Sequence, residues 1–76
     1  MTIKDELDTE GEYIDVYRSE GYYCWMLIFE KKDGVYSVTD HRSTESGYED
    51  DLDYFESENF DEVIKYVKES YGYEIY

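Results

Sequence analysis

Polar and apolar residues alternate along the first half of the chain in a pattern that predicts β-strands. In residues 13–17 the aliphatic side chains of Ile14 and Val16 alternate with polar and aromatic ones, as in a strand with one buried face. We expect Ile14 and Val16 to face the core. Residues 22–30 are apolar on both faces, which indicates a central strand.

Turn residues follow each of these strands. Residues 19–21 end in glycine and predict a turn after the first strand. The pair Asp33-Gly34 predicts a type I′ hairpin turn, because both central positions of that turn need a positive φ. Residues 35–39 then form the return strand. The three strands together predict an antiparallel meander.

Two segments are less regular. Residues 1–12 are acidic with little periodicity, and we expect a frayed end or one short helical turn there. Residues 40–58 are an acidic connection that is long for so small a domain. Within it, residues 41–47 are typical of a loop, and residues 48–55 fit a short strand, a helical turn or an ordered acidic loop.

The clearest helix follows this connection. Asn59 as N-cap with Glu62 three residues later forms a capping box, and Gly72 ends the helix as a left-handed residue. Residues 73–76 alternate and predict a last edge strand. The helix has one apolar stripe, formed by Phe60, Val63, Ile64, Val67 and Tyr71.

These elements predict a single α+β domain. A three- to four-stranded antiparallel sheet would pack one face against the C-terminal amphipathic helix. The other sheet face would then be rich in tyrosine. The expected core consists of Ile14, Val16, Trp25 or Met26, Leu27 or Ile28, Val38, Phe60, Ile64 and Val67.

Charge restricts the possible ligands. With 21 acidic and 7 basic residues among 76, the formal net charge is −14. Such a charge excludes nucleic acid and anionic membranes as direct ligands and favours salt-sensitive association with a basic partner. It also opposes self-association, so we expect a monomer or a weak dimer. Aromatic residues, at 20% of the chain, supply the core that keeps so acidic a sequence folded.

The acids concentrate in residues 45–62, which hold nine carboxylates and no lysine or arginine. In an extended chain, carboxylates two residues apart lie about 6.6 Å apart on one face. The charge density of this segment therefore approaches that of a nucleic-acid backbone. The acids expected to bind a partner are Glu49, Asp50, Asp51, Asp53, Glu56 and Glu58.

Eleven tyrosines exceed what a core of this size can hold. Tyrosine anchors protein interfaces because its ring contributes area at low entropy cost and its hydroxyl tolerates water. We therefore expect Tyr48 and Tyr54 to join the binding surface, and Asp15 and Tyr17 to extend it across the sheet. Further tyrosines expected at the surface are Tyr13, Tyr66, Tyr73 and Tyr76.

Patterns for catalysis and metal binding are weak. His41 lies in a predicted polar loop, with no second histidine in the chain and Cys24 as the only thiol. Asp51, Asp53 and Glu62 match positions one, three and twelve of an EF-hand, but Glu56 stands where the loop requires glycine. We therefore expect no enzyme activity, cofactor or metal site.

Small size, extreme acidity and exposed aromatic residues together resemble the phage-encoded nucleic-acid mimics of the anti-restriction and anti-CRISPR type. The resemblance is one of composition over the whole chain and assigns no residue roles. It implies an inhibitor that blocks the basic site of a restriction, CRISPR, repair or transcription protein. We expect it in the cytoplasm, the host's for a phage protein, because residues 1–6 lack a signal-peptide pattern and the apolar run 22–29 is too short to span a membrane. Two alternatives stay open: an immunity protein or antitoxin that neutralises a basic toxin, and a non-enzymatic adaptor domain.

Overall fold

Four antiparallel strands form one sheet, and two helices cover one of its faces. The computed structural model describes residues 3–72. Its elements are α1 (Ile3–Glu10), β1 (Glu12–Glu20), β2 (Tyr23–Lys32), β3 (Val35–Thr44), β4 (Glu49–Ser57) and α2 (Phe60–Tyr71). The strands lie in the order β1-β2-β3-β4, so the predicted α+β class, with an antiparallel meander and a C-terminal helix, is confirmed. The edge strand predicted at residues 73–76 lies outside the described residues.

The connection between β2 and β3 is the predicted hairpin turn. Asp33 and Gly34 have φ angles of 53° and 80°, both positive as a type I′ turn requires. The residues on either side, Lys32 and Val35, are paired across the strands. Two residues thus set the register of the two central strands.

Strand β3 extends into the segment that the sequence predicts as a loop. It continues to Thr44, which pairs with Tyr23 at the start of β2, so the loop prediction is wrong for residues 41–44. The three alternatives for residues 48–55 resolve as strand β4, with a register shift between Asp40 and His41 of β3. Pairing with a long neighbouring strand, rather than local hydrophobicity, extends both elements.

One hydrophobic core lies between the sheet and both helices. Phe60 and Ile64 of α2 pack against its edge. Of the predicted core residues, Leu27, Val38 and Val67 are fully enclosed. The buried members are Ile3, Leu7, Leu27, Phe29, Tyr36, Val38, Val63 and Val67.

The face of β1 that meets the core is the opposite of the predicted one. Ile14 and Val16 are 49% and 52% exposed, whereas Tyr13 and Tyr17 pack against the core. A tyrosine ring reaches far under a helix, and the hydroxyl of Tyr17 keeps a hydrogen bond there by donating to Asp40 Oδ1 at 2.8 Å. The prediction of a tyrosine-rich face away from the helix is wrong for the same reason.

Helix α1 occupies the segment predicted as a frayed end or a short helical turn. Ile3 and Leu7, one turn apart, are 7% and 2% exposed. Gly11, at φ 81°, ends the helix and donates its N–H to the Leu7 carbonyl at 3.0 Å. Two apolar residues are too few to show helical periodicity in the sequence, and packing on the sheet stabilises this short helix.

Helix α2 begins and ends as predicted. The Asn59 side chain accepts a hydrogen bond from the Asp61 N–H at 3.0 Å, and Gly72, at φ 63°, donates its N–H to the Lys68 carbonyl. The capping box closes through a relay: the Asn59 N–H donates to Ser57 Oγ, which in turn donates to Glu62 Oε2. Both caps are local, so the sequence suffices to place this helix.

Candidate protein-binding surface

The sheet face opposite the helices, here called the open face, carries an apolar patch. The patch consists of Ile14, Val16, Met26 and Ile28. Strand register places Ile14 beside Ile28 and Val16 beside Met26. Ile14 and Val16 are about half exposed, whereas Met26 and Ile28 are less exposed. Tyr54 of β4, 56% exposed, lies in the row of Ile14 and Ile28 on the far side of β3.

Exposed carboxylates border this patch at the hairpin end of the open face and along β4. This acidic border consists of Glu12, Glu30, Glu49, Asp51 and Glu56. Glu12 pairs with Glu30, and Glu30 shares a row with Glu56 through Ser37. Glu49 and Asp51 follow on β4, two residues apart and on the same face of the strand. Lys32 adds one positive charge at the hairpin end, where it lines a shallow depression with Glu30 and Glu56.

His41 lies on the open face between two acids of this border. Its Nδ1 is 2.7 Å from Asp51 Oδ1 and its Nε2 is 3.6 Å from Glu49 Oε1. The imidazole is only 15% exposed, so the prediction that His41 stands in a solvent-exposed loop is wrong. The hydrogen bond with Asp51 raises the pKa of His41 above its usual value of 6.5. When protonated, His41 places a positive charge between Glu49 and Asp51 at this end of the border.

The acids and tyrosines predicted to bind a partner divide between the two faces of the sheet. Four of them lie on the open face, namely Glu49, Asp51, Tyr54 and Glu56. Tyr48 and Glu58 are exposed at the two ends of β4. The remaining four lie on the helix side of the sheet, namely Asp15, Tyr17, Asp50 and Asp53. A strand points alternate side chains to opposite faces, so one acidic segment cannot present all its charges together.

The acids on the helix side are engaged within the domain. Asp50 pairs with Arg42 at 3.4 Å. Asp53 accepts hydrogen bonds from the hydroxyls of Tyr66 and, at 3.1 Å, Tyr71. The bond from Tyr66 holds the pKa of Asp53 below its usual value. These carboxylates support the fold and are less available to a partner than those of the acidic border.

A tyrosine–carboxylate cluster accounts for three of the eleven tyrosines. It consists of Tyr17, Asp40, Asp53, Tyr66 and Tyr71. Asp40, 6% exposed, pairs across the sheet with Asp53. Burial, with the hydrogen bond to Asp40, raises the pKa of Tyr17 to about 12. The expectation that Tyr13, Tyr17 and Tyr66 are exposed is therefore wrong, since all three pack against the core. Tyr73 and Tyr76 lie outside the described residues.

A second aromatic surface, which the sequence did not indicate, lies at the end of the sheet away from the hairpin. Tyr22 and Tyr23 are 72% and 46% exposed. Both arginines of the chain stack nearby, Arg18 at 4.6 Å from the Trp25 ring centroid and Arg42 at 5.8 Å from that of Tyr23. In the sequence these aromatic residues belong to a continuous apolar run, so their exposure at the start of β2 could not be predicted from the pattern.

Other chemistry finds little support in the described part of the chain. Residues 3–72 contain no group of three or more histidine, cysteine or acidic side chains placed to hold a metal ion. Asp51, Asp53 and Glu62 lie in a strand and a helix rather than in a calcium-binding loop. Cys24 is a half-buried free thiol. No helix within residues 3–72 has the length and apolar character to cross a membrane.

Comparisons with protein-family models, with curated proteins and with solved structures find no match to this chain. The acidic border and the apolar patch are therefore the features of this chain that bear on its function.

Proposed function

We propose that this protein is a non-enzymatic inhibitor, of the anti-restriction or anti-CRISPR kind, that acts in the cytoplasm by occupying the basic nucleic-acid site of another protein. The observation that carries the proposal is the acidic border around the apolar patch. Its carboxylates are exposed on one face of a domain whose net charge is −14. A site that normally binds phosphates is complementary to such a face in charge.

The border carboxylates at the hairpin end of the open face are available to a partner, whereas Glu49 and Asp51 flank His41. Among residues 3–72, Glu12 and Glu30 form no ion pair, whereas Asp8 pairs with Lys31 at 2.7 Å and Asp50 with Arg42. A carboxylate that already has a cation gains little from a second one. The border is therefore where lysines and arginines of a partner contribute most to the association rate.

Tyr54 supplies the aromatic anchor of this face. Its ring is 56% exposed, and its hydroxyl donates a hydrogen bond to Glu56 Oε2 at 2.9 Å. The bond holds ring and carboxylate side by side, so a partner contacts both together. Tyrosine in the centre of an interface is a frequent energetic hot spot.

The test is affinity capture from nuclease-treated lysate of the native host, with elution by a salt gradient and identification by mass spectrometry. We expect one nucleic-acid-processing protein, released by salt and displaced by added DNA or RNA. A partner that added DNA or RNA does not displace would instead favour a toxin-neutralising or adaptor role.

A pair of variants with equal charge identifies the surface. The border variant carries Glu12→Gln, Glu30→Gln and Glu56→Gln. The control variant carries Glu10→Gln, Glu45→Gln and Glu69→Gln, at residues that are also exposed but lie outside the acidic border. Each variant removes three negative charges. We expect the captured protein to be lost by the border variant and kept by the control; equal retention by both would show that net charge, and not this face, drives binding.

A further inference from the structure

The apolar patch is unusual for so charged a domain. Ile14 and Val16, side by side with Met26 and Ile28, keep half their surface accessible in a protein with 37% charged residues. Sheets normally bury an apolar face against another element, and both described helices cover the opposite face. Contiguous exposed apolar surface rimmed by polar residues marks an interaction site.

The charges around the patch select its occupant. A second copy of this chain would bring two acidic borders together, each on a molecule of net charge −14. A basic segment, in contrast, would place lysines and arginines against Glu12, Glu30 and Glu56 at the hairpin end, and against Glu49 at the other end of β4. Apolar side chains of the same segment would cover the patch.

The open face is wide enough for one helix. The patch lies on β1 and β2, and the row from Ile14 and Ile28 continues through Thr39 to Tyr54, which makes it about 14 Å wide over four strands at a spacing of about 4.8 Å. An α-helix with its side chains is about 10–12 Å across, and residues i, i+4 and i+7 along one stripe span about 10.5 Å. Met26, in the neighbouring row beside Val16, has a flexible side chain that adapts to varied apolar partners.

We infer that the open face binds a basic amphipathic helix of the partner, with the helix's apolar stripe on Ile14, Val16, Met26 and Ile28 and its cations on the acidic border. This inference rests on the proposed function and specifies the element of the partner that is recognised. It adds to charge mimicry an apolar contact that salt does not screen.

The probes are two synthetic 18-residue peptides of identical leucine and lysine composition. One arranges leucine at helical spacing to form a single apolar stripe, and the other has the same residues scrambled. Binding is measured by fluorescence anisotropy at several salt concentrations. We expect the amphipathic peptide to bind at least about tenfold more tightly than the scrambled one, a difference that persists as salt rises.

A double variant, Ile14→Thr with Val16→Thr, tests the location. Threonine keeps the β-branched side chain that suits a strand, so the fold is preserved while apolar contact is lost. Tyr22→Ser is the control, because Tyr22 is 72% exposed and lies in the turn before β2, away from the patch. We expect the double variant to reduce the preference for the amphipathic peptide to within about twofold and the control to leave it unchanged.

Four results would overturn the inference. Equal affinity for the two peptides would leave charge alone as the cause of binding, and failure of both peptides to bind would show that the open face does not recognise a basic helix. In either case, a partner that is still captured and displaced by nucleic acid would keep the proposed function intact. A preference that survives Ile14→Thr with Val16→Thr places the helix elsewhere. Concentration-dependent self-association in sedimentation that this double variant abolishes would assign the patch to a second copy of the chain.

Discussion

Tyr17 donates a hydrogen bond to a carboxylate that is almost completely enclosed, and replacing it by phenylalanine removes only that bond. Asp40 is 6% exposed and lies 2.8 Å from the Tyr17 hydroxyl. The substitution keeps the ring, its packing on the core and its contact with Tyr71, whose ring centroid is 5.9 Å away. Any loss of stability therefore reports on the hydrogen bond.

The expected loss follows from the cost of leaving a buried polar group without a partner. Hydrogen bonds to charged groups contribute about 1.5–3 kcal/mol. The polar hydroxyl of Tyr71, which donates to Asp53 at 3.1 Å, belongs to the same cluster and compensates in part. We expect Tyr17→Phe to lower the free energy of unfolding by about 1–2 kcal/mol. For a domain of this size that corresponds to a decrease in melting temperature of about 4–16 °C.

The assay is thermal and urea unfolding followed by circular dichroism, with Tyr54→Phe as the control. Tyr54 also donates to a carboxylate, Glu56, but on the exposed face, so its loss should change stability by less than about 0.5 kcal/mol. Equal effects of the two substitutions would refute the view that burial gives the Tyr17 bond its importance.

Unfolding at alkaline pH is a second test of the hydrogen bond from Tyr17 to Asp40. The pKa of Tyr17 is raised from 10.0 to about 12, so the folded state holds this proton more tightly than the unfolded state. The resulting stabilisation is complete below pH 10 and is lost as pH rises towards 12. The stability difference between Tyr17→Phe and the parent should therefore shrink over that interval, and a constant difference would contradict the assignment.

Two further predictions concern His41 and α1. Asp51 raises the pKa of His41 above 6.5, so the ion pair stabilises the fold fully below pH 6.5 and less as pH rises through the pKa of His41 in the folded state. His41→Gln should abolish this part of the pH dependence of urea unfolding. Leu7→Ala should cost about 2–4 kcal/mol in urea unfolding because Leu7 is 2% exposed, whereas Ile14→Ala, at a half-exposed site, should cost far less; similar costs would mean that α1 adds little to the core.

Several elements were predictable because their signals are local. Asp33 and Gly34 determine a turn through their own backbone preferences, and the two caps of α2 use residues within three positions of its ends. The apolar stripe of α2 is long enough to show its period. Helix α1 has only two buried apolar residues, Ile3 and Leu7, which is too few for a periodic pattern. Its packing on the sheet, which the sequence does not show, distinguishes it from a frayed end.

The open face depends on contacts between distant strands and was only partly predictable from the sequence. The sequence shows that residues 45–62 are acidic and that Tyr54 stands among them, and this part of the candidate surface was predictable. It does not show that β4 sends Asp53 towards Tyr66 while Glu56 stays on the open face. That division follows from the register of β4 against β3, including the shift between Asp40 and His41.

The sequence by itself determined the α+β class, the hairpin, the C-terminal helix and the strong negative charge, because each depends on residues close together in the chain or on composition alone. Only the tertiary structure decided which face of β1 is covered. Alternation shows that Ile14 and Tyr13 point in opposite directions, and either set is apolar enough to be buried. The helices cover the tyrosine side, where long rings reach the core and hydroxyls find carboxylates from distant strands, so the aliphatic side is left as the apolar patch.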